Sequence, residues 1–148
     1  MHNQDSHAIT SLVPGGSDGY FDRAMARLEA IKPGLSQDLG CSERLSLESA
    51  RAVVAIAVEL ACLSQNVANI RIGRFIFREL PARTINEHLR PVVSELVDLE
   101  DDYEYTRLLE AIKPVSPANL EHYLRTGRDS SSAEIRDTSK EWSGALGI

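Results

Sequence analysis

Ala52-Val53-Val54-Ala55-Ile56-Ala57-Val58-Glu59-Leu60-Ala61-Cys62-Leu63 is the longest apolar run in the chain, and only Glu59 interrupts it. It is too short to span a bilayer as a helix, which takes about 20 residues, so it belongs in the interior of a folded protein. Ser42 and Ser46, just upstream, can each cap a helix. Val53, Val54, Ile56, Ala57, Val58, Leu60 and Ala61 then surround a helical axis instead of lining one side of it. A helix from Leu47 to about Ser64 is therefore expected at the centre of the fold, buried on most sides.

The flanking sequence continues in the same period. Upstream, Ser17 or Asp18 can cap a helix with Phe21, Met25, Leu28 and Ile31 on one face, ended by Pro33-Gly34. Downstream, Asn66 offers a cap and Ile72, Phe75, Ile76 and Leu80 face inward up to the stop at Pro81. Thr84 and Glu87 form a T-x-x-E capping box for a helix carrying Ile85, Leu89, Val92, Val93, Leu96 and Val97, in which Pro91 predicts a kink. Glu100-Asp101-Asp102 suits a helix start, with Tyr105, Leu108, Leu109 and Ile112 as the buried stripe before Pro114. Ser116-Pro117 opens a helix through Leu120, Tyr123 and Leu124, and Ser131-x-x-Glu134 opens a last one with Ile135 and Trp142. No segment alternates with a period of two, so the class is all-α, with about seven helices.

Residues 1–16 lack periodicity and end in Pro14-Gly15-Gly16, which marks them as a flexible polar tail before a single domain over residues 17–148. A chain of 148 residues can bury roughly 70% of its unfolded surface without disulfide or metal support. A net charge of −6 opposes broad binding to nucleic acid or an anionic membrane and favours a basic protein as partner. The tail has no basic cap before an apolar stretch, so it is not a secretory signal. With only Cys41 and Cys62, no disulfide framework is expected, and a reducing cytoplasm is the natural compartment.

Candidate chemistry is sparse. His2, His7, His88 and His122 have no ligand spacing, and neither H-E-x-x-H nor C-x-x-C occurs. They are expected on the surface, with no metal or cofactor. Asp98, Glu100, Asp102 and Glu104 imitate a calcium loop, but its glycine position holds Tyr103 and its twelfth position Leu109. The run is instead a helix start or an acidic patch. Tyr103 beside Asp101 and Asp102 would then make an exposed aromatic anchor with an acidic rim, suited to a protein partner. Arg71, Arg74 and Arg78 form a cationic stripe on one helix. Without a glycine-rich phosphate cradle or interleaved aromatics, pairing with the acidic run or a local protein-facing surface is the reading.

Leu28-Glu29-Ala30-Ile31-Lys32-Pro33 recurs letter for letter as Leu109-Glu110-Ala111-Ile112-Lys113-Pro114. In each copy a serine and then a leucine follow: Ser36 and Leu39, Ser116 and Leu120. Both copies are expected to give a helix ended by proline, a tight corner and a capped second helix. The string from Asp101 to Trp142 resembles HEAT-like helical-hairpin proteins through its paired leucines, its turn, and Glu134-Ile135-Arg136 after a polar turn. The resemblance implies stacked antiparallel hairpins and a scaffold that binds other proteins; it carries no site residues across. An irregular helical bundle is the alternative architecture. The functional expectation is a non-enzymatic protein-interaction module for one partner, for instance a bacterial immunity-type protein that masks a toxin. A small helical enzyme or ligand-binding bundle with its site between helices is the other class, and homo-oligomerisation is left open.

Overall fold

The computed structural model describes residues 19–148; the expected tail, its two histidines and the caps Ser17 and Asp18 lie outside them. Among the described residues there are seven α-helices and no strand. They are α1 (Tyr20–Ile31), α2 (Leu47–Val58), α3 (Val67–Glu79), α4 (Ala82–Leu96), α5 (Asp102–Ile112), α6 (Pro117–Arg128) and α7 (Ala133–Leu146). Two 3₁₀ segments, Leu35–Gln37 and Leu39–Arg44, link α1 to α2, and a π-helical turn, Glu59–Leu63, extends α2.

The apolar run is the hub. α2 touches α1, α3 and α4, while its π-helical end packs on α3 and α5. Eight of the twelve residues from Ala52 to Leu63 are buried, including Val53, Val54, Ala57, Val58, Ala61 and Cys62 with no exposure. Ser46 starts α2 as expected, its hydroxyl accepting the Ser49 N–H at 3.1 Å, which satisfies a backbone donor that has no helical partner. α3 crosses the hub at Gly73. A Cβ there would lie 2.5 Å from the Ala61 nitrogen and 2.9 Å from the Ala57 oxygen, so the approach depends on glycine. A second close approach joins the last three helices, where Gly127 makes room for the Tyr105 phenol, whose hydroxyl donates to the Tyr123 carbonyl at 2.8 Å.

Four local expectations are corrected. Phe75 is only partly buried, and it is Phe77 that sits wholly inside. The last helix is capped by Ser132, which accepts the Ile135 N–H, because Ser131 instead donates to Glu100 at 2.6 Å. α4 starts at Ala82, before the Thr84 capping box: Pro81 is both the stop of α3 and the N-cap residue of α4, leaving Thr84 buried in the first turn. The helix then runs on through Pro91 to Leu96. Lastly, the two copies of the six-residue repeat diverge. The second gives the expected corner, with Ser116 as N-cap residue and Pro117 opening α6. The first leads into left-handed Gly34 and the 3₁₀ segments instead of a capped helix.

The same glutamate explains the divergence. In the first copy Glu29 folds over the corner, accepting the Gly34 N–H at 2.8 Å and the Ser36 N–H and hydroxyl at 2.9 and 2.7 Å. Its counterpart Glu110 bridges Arg74 and Arg107. The Gly34 N–H first, then Ser36, holds the Glu29 carboxyl below the ordinary 4.5; the Ser130 and Ser131 hydroxyls do the same for Glu100. A carboxyl lowered on folding contributes stability above its unfolded value and loses that contribution as pH falls through the folded one. The parent chain is therefore expected to lose stability as pH drops below 4.5, and Glu29→Gln and Glu100→Gln should each flatten that slope. Urea midpoints measured across the acid range check it.

Candidate functional site

The acidic run is built into the fold. Asp101 is the N-cap residue of α5 and accepts the Glu104 N–H at 2.9 Å, and Glu104 returns a carboxylate to the Asp98 N–H at 3.0 Å. The two carboxylates thus satisfy one backbone donor in the first turn of the helix and one in the loop before it. Glu100 takes the Ser130 and Ser131 hydroxyls, and Asp102 accepts from Thr138 at 3.1 Å, which ties the start of α5 to the corner before α7 and to α7 itself.

Tyr105 turns inward as expected, but Tyr103 is a correction: it is half-buried, not exposed. Its hydroxyl donates to the Ser64 carbonyl at 2.7 Å, just past the π-helical turn, and the Arg107 guanidinium lies 5.0 Å from its ring centre. The phenol thus satisfies a carbonyl that the end of the central helix leaves without a helical donor.

Arg74 joins this cluster by pairing with Glu110 at 2.7 Å, not with the acidic run. Arg71 and Arg78 are exposed on α3. The structure therefore brings Arg74 and Tyr103 to opposite ends of a Tyr103–Arg107–Glu110–Arg74 chain, while Asp101 and Asp102 serve the α5 start.

A different place gathers polar groups around a concavity. The 3₁₀ segment supplies Ser42 and Glu43, the first turn of α2 supplies Leu47 and Ala50, and the first turns of α4 supply Arg83, Thr84, Glu87 and His88 around a cleft of about 260 Å³. Thr84 and His88 are one helical turn apart and so share a face of α4. The Ser42 and Thr84 hydroxyls meet at 3.2 Å, both buried, closing the floor between the 3₁₀ segment and α4. Arg83 and Glu87 pair at 3.2 Å on the outer rim.

His88 overturns its surface assignment. It is 4% exposed and lines the cleft, with Nε2 3.7 Å from a Glu87 oxygen and a buried Nδ1 that has no hydrogen-bond partner among the described residues. A buried polar atom without a partner costs free energy, and native chains leave few of them. Leu47, which lines the cleft, is 73% exposed, while most other apolar residues of its helix are buried.

Other concavities are simpler. Asn86, Arg90 and Asn119 line a shallow groove, with the Arg90 Nε donating to Asn119 at 2.9 Å and Asn119 donating to Ser116 at 2.8 Å. Its polar groups are already matched. His122 is half-buried, and burial, followed by Arg90 and Arg125, lowers its pKa and favours the neutral ring. Cys41 and Cys62 are both free thiols, and burial pushes Cys62 up to about 12, which removes it as a nucleophile. Among the described residues no group of three or more His, Cys, Asp or Glu is placed to hold a metal, and no helix is long and apolar enough to cross a membrane.

Sequence patterns alone miss this cleft because they assign its parts to other tasks: Ser42 to a cap, Thr84 and Glu87 to a capping box, His88 to a polar face. The available signal is the i, i+4 pair Thr84 and His88 beside Ile85 and Leu89, which places both on or near the apolar face. No protein-family model, curated protein or solved structure matches the chain.

Proposed function

We propose that the chain is a non-enzymatic interaction module that binds one protein partner through the face formed by the starts of α2 and α4. Leu47 carries this reading: a largely exposed apolar side chain stands over a cleft rimmed by Glu43, Arg83 and Glu87. An apolar anchor within a polar rim is how protein interfaces concentrate their binding energy. Of the residues first singled out for contact, Asp101, Asp102 and Tyr103 each use a polar group within the fold and Arg74 pairs with Glu110, while Arg71 and Arg78 stay exposed on α3.

A net charge of −6 adds steering toward a basic partner. In its concrete form the module is a cytoplasmic, bacterial immunity-type protein that masks a toxin, with the α5–α6–α7 hairpins as its HEAT-like part. That form rests on the analogy with small acidic soluble inhibitors.

The test is retention of a stoichiometric protein by the tagged chain and by its Leu47→Asp variant. The parent is expected to hold one partner and the variant to lose it by at least about tenfold, the effect of removing a central anchor. Undiminished retention by the variant would place the interface elsewhere. A co-purifying small molecule in place of a protein would favour a ligand-binding bundle.

A further inference from the structure

α7 is fastened differently from the rest of the fold. Each of the other six helices buries two or more apolar side chains, whereas α7 buries one, Ile135. Its other buried residues are Ser139 and Ser143, and Trp142 is half-buried against the core. These four positions recur at helical spacing and form the face that meets α6 and α5. The seam is closed by small polar groups: the Ser139 hydroxyl donates to the Leu124 carbonyl, and the Arg128 guanidinium donates to the Ser143 hydroxyl at 2.8 Å. At its edge the ties from Ser130 and Ser131 to Glu100 and from Thr138 to Asp102 are exposed.

Apolar burial drives helix docking, whereas a hydrogen bond lost on opening is largely replaced by one to water. α7 therefore opposes its own release far less than the hub does. Its seat stands without it: the Tyr105 hydroxyl joins α5 to the Tyr123 carbonyl of α6, and α5 packs on the π-helical end of the hub through helix-spaced Leu108, Leu109 and Ile112, all buried.

From this we infer that α7 is a separately opening strap, which leaves and rejoins the α5–α6 face while the hub stays folded. The docking cleft is lined from the 3₁₀ segment, α2 and α4 and stays intact in both forms. Opening uncovers the seam around Tyr105, Leu124 and Gly127, which the closed strap covers with Ser139.

Residue-resolved amide hydrogen exchange of the full chain in rising sub-denaturing urea tests this. Amides 137–146 are expected to exchange at least about tenfold faster than amides 53–58 and to respond weakly to urea, while the α2 amides accelerate steeply because they need global exposure. Ile56→Ala raises the closed and strap-open forms alike. It should speed α2 exchange by about thirtyfold or more, the lower end of a buried truncation, and leave α7 within about twofold. Leu60→Ala repeats the comparison if Ile56→Ala does not fold, and the urea series needs no variant. Equal acceleration of α7 and α2, by urea or by hub truncation, would show that α7 opens only with the whole fold and would overturn the inference. So would fast exchange confined to 143–146 with 137–140 as slow as α2, since that is fraying of a helix end and not release of the strap.

Discussion

Ile56→Ala and Leu60→Ala are each expected to lower the unfolding free energy by about 2–5 kcal/mol, the usual cost of truncating a buried Ile or Leu. Both belong to the hub on which α1, α3, α4 and α5 converge, and both are buried. Truncation removes transfer free energy and leaves a cavity that the surrounding helices cannot close independently, since each also packs on others. Leu47→Ala, at the start of the same helix, should change stability by no more than about 0.5 kcal/mol because its side chain faces solvent. Urea denaturation of the three variants checks the contrast, and losses under about 0.5 kcal/mol at both hub positions would show that α2 is peripheral.

Gly73→Ala is expected to destabilise by about 1–3 kcal/mol although alanine is the better helix former. In an open helix the exchange would gain about 1 kcal/mol. At Gly73 the added methyl would meet the Ala61 nitrogen, the Ala57 oxygen and the Leu60 Cβ, all closer than 3.0 Å. Two of those atoms are backbone and cannot rotate away, so α3 must move off the hub. Gly144→Ala is the control: it lies within α7, where an added methyl would meet nothing within 4 Å, and should be neutral or stabilising. Thermal melts by circular dichroism should therefore shift in opposite directions, or downward at Gly73 alone. A rise in melting temperature for Gly73→Ala would contradict the close crossing.

The helical class and its central element were legible because they rest on periodicity and on capping residues with few alternatives. Ser46, Asn66 and Asp101 each accept a backbone N–H where the chain enters a helix. The boundary before α4 was not legible, since Pro81 can end one helix and also precede the next, and Thr84-x-x-Glu87 is a plausible cap in isolation. That shift of boundary put Thr84 inside the first turn of α4, and His88 follows one turn later on the same face, beside Ile85 and Leu89. The repeat shows the same limit: identical letters around Glu29 and Glu110 acquire different partners, because Gly34 and Ser36 are adjacent to one and Arg74 and Arg107 to the other. Helical geometry alone places Tyr103 on an outer face, and it cannot anticipate a carbonyl at Ser64 brought in from a distant part of the chain.

The central claim is that the starts of α2 and α4 form the partner-binding face. Hydrogen–deuterium exchange of the full chain, alone and saturated with the protein that Leu47→Asp releases, measures this most directly. The account predicts slowed exchange over residues 42–50 and 83–88, with residues 71–78 and 101–103 unchanged. Protection centred on Asp101, Asp102 and Tyr103 or on the Arg71, Arg74 and Arg78 stripe, with the cleft unaltered, would contradict it.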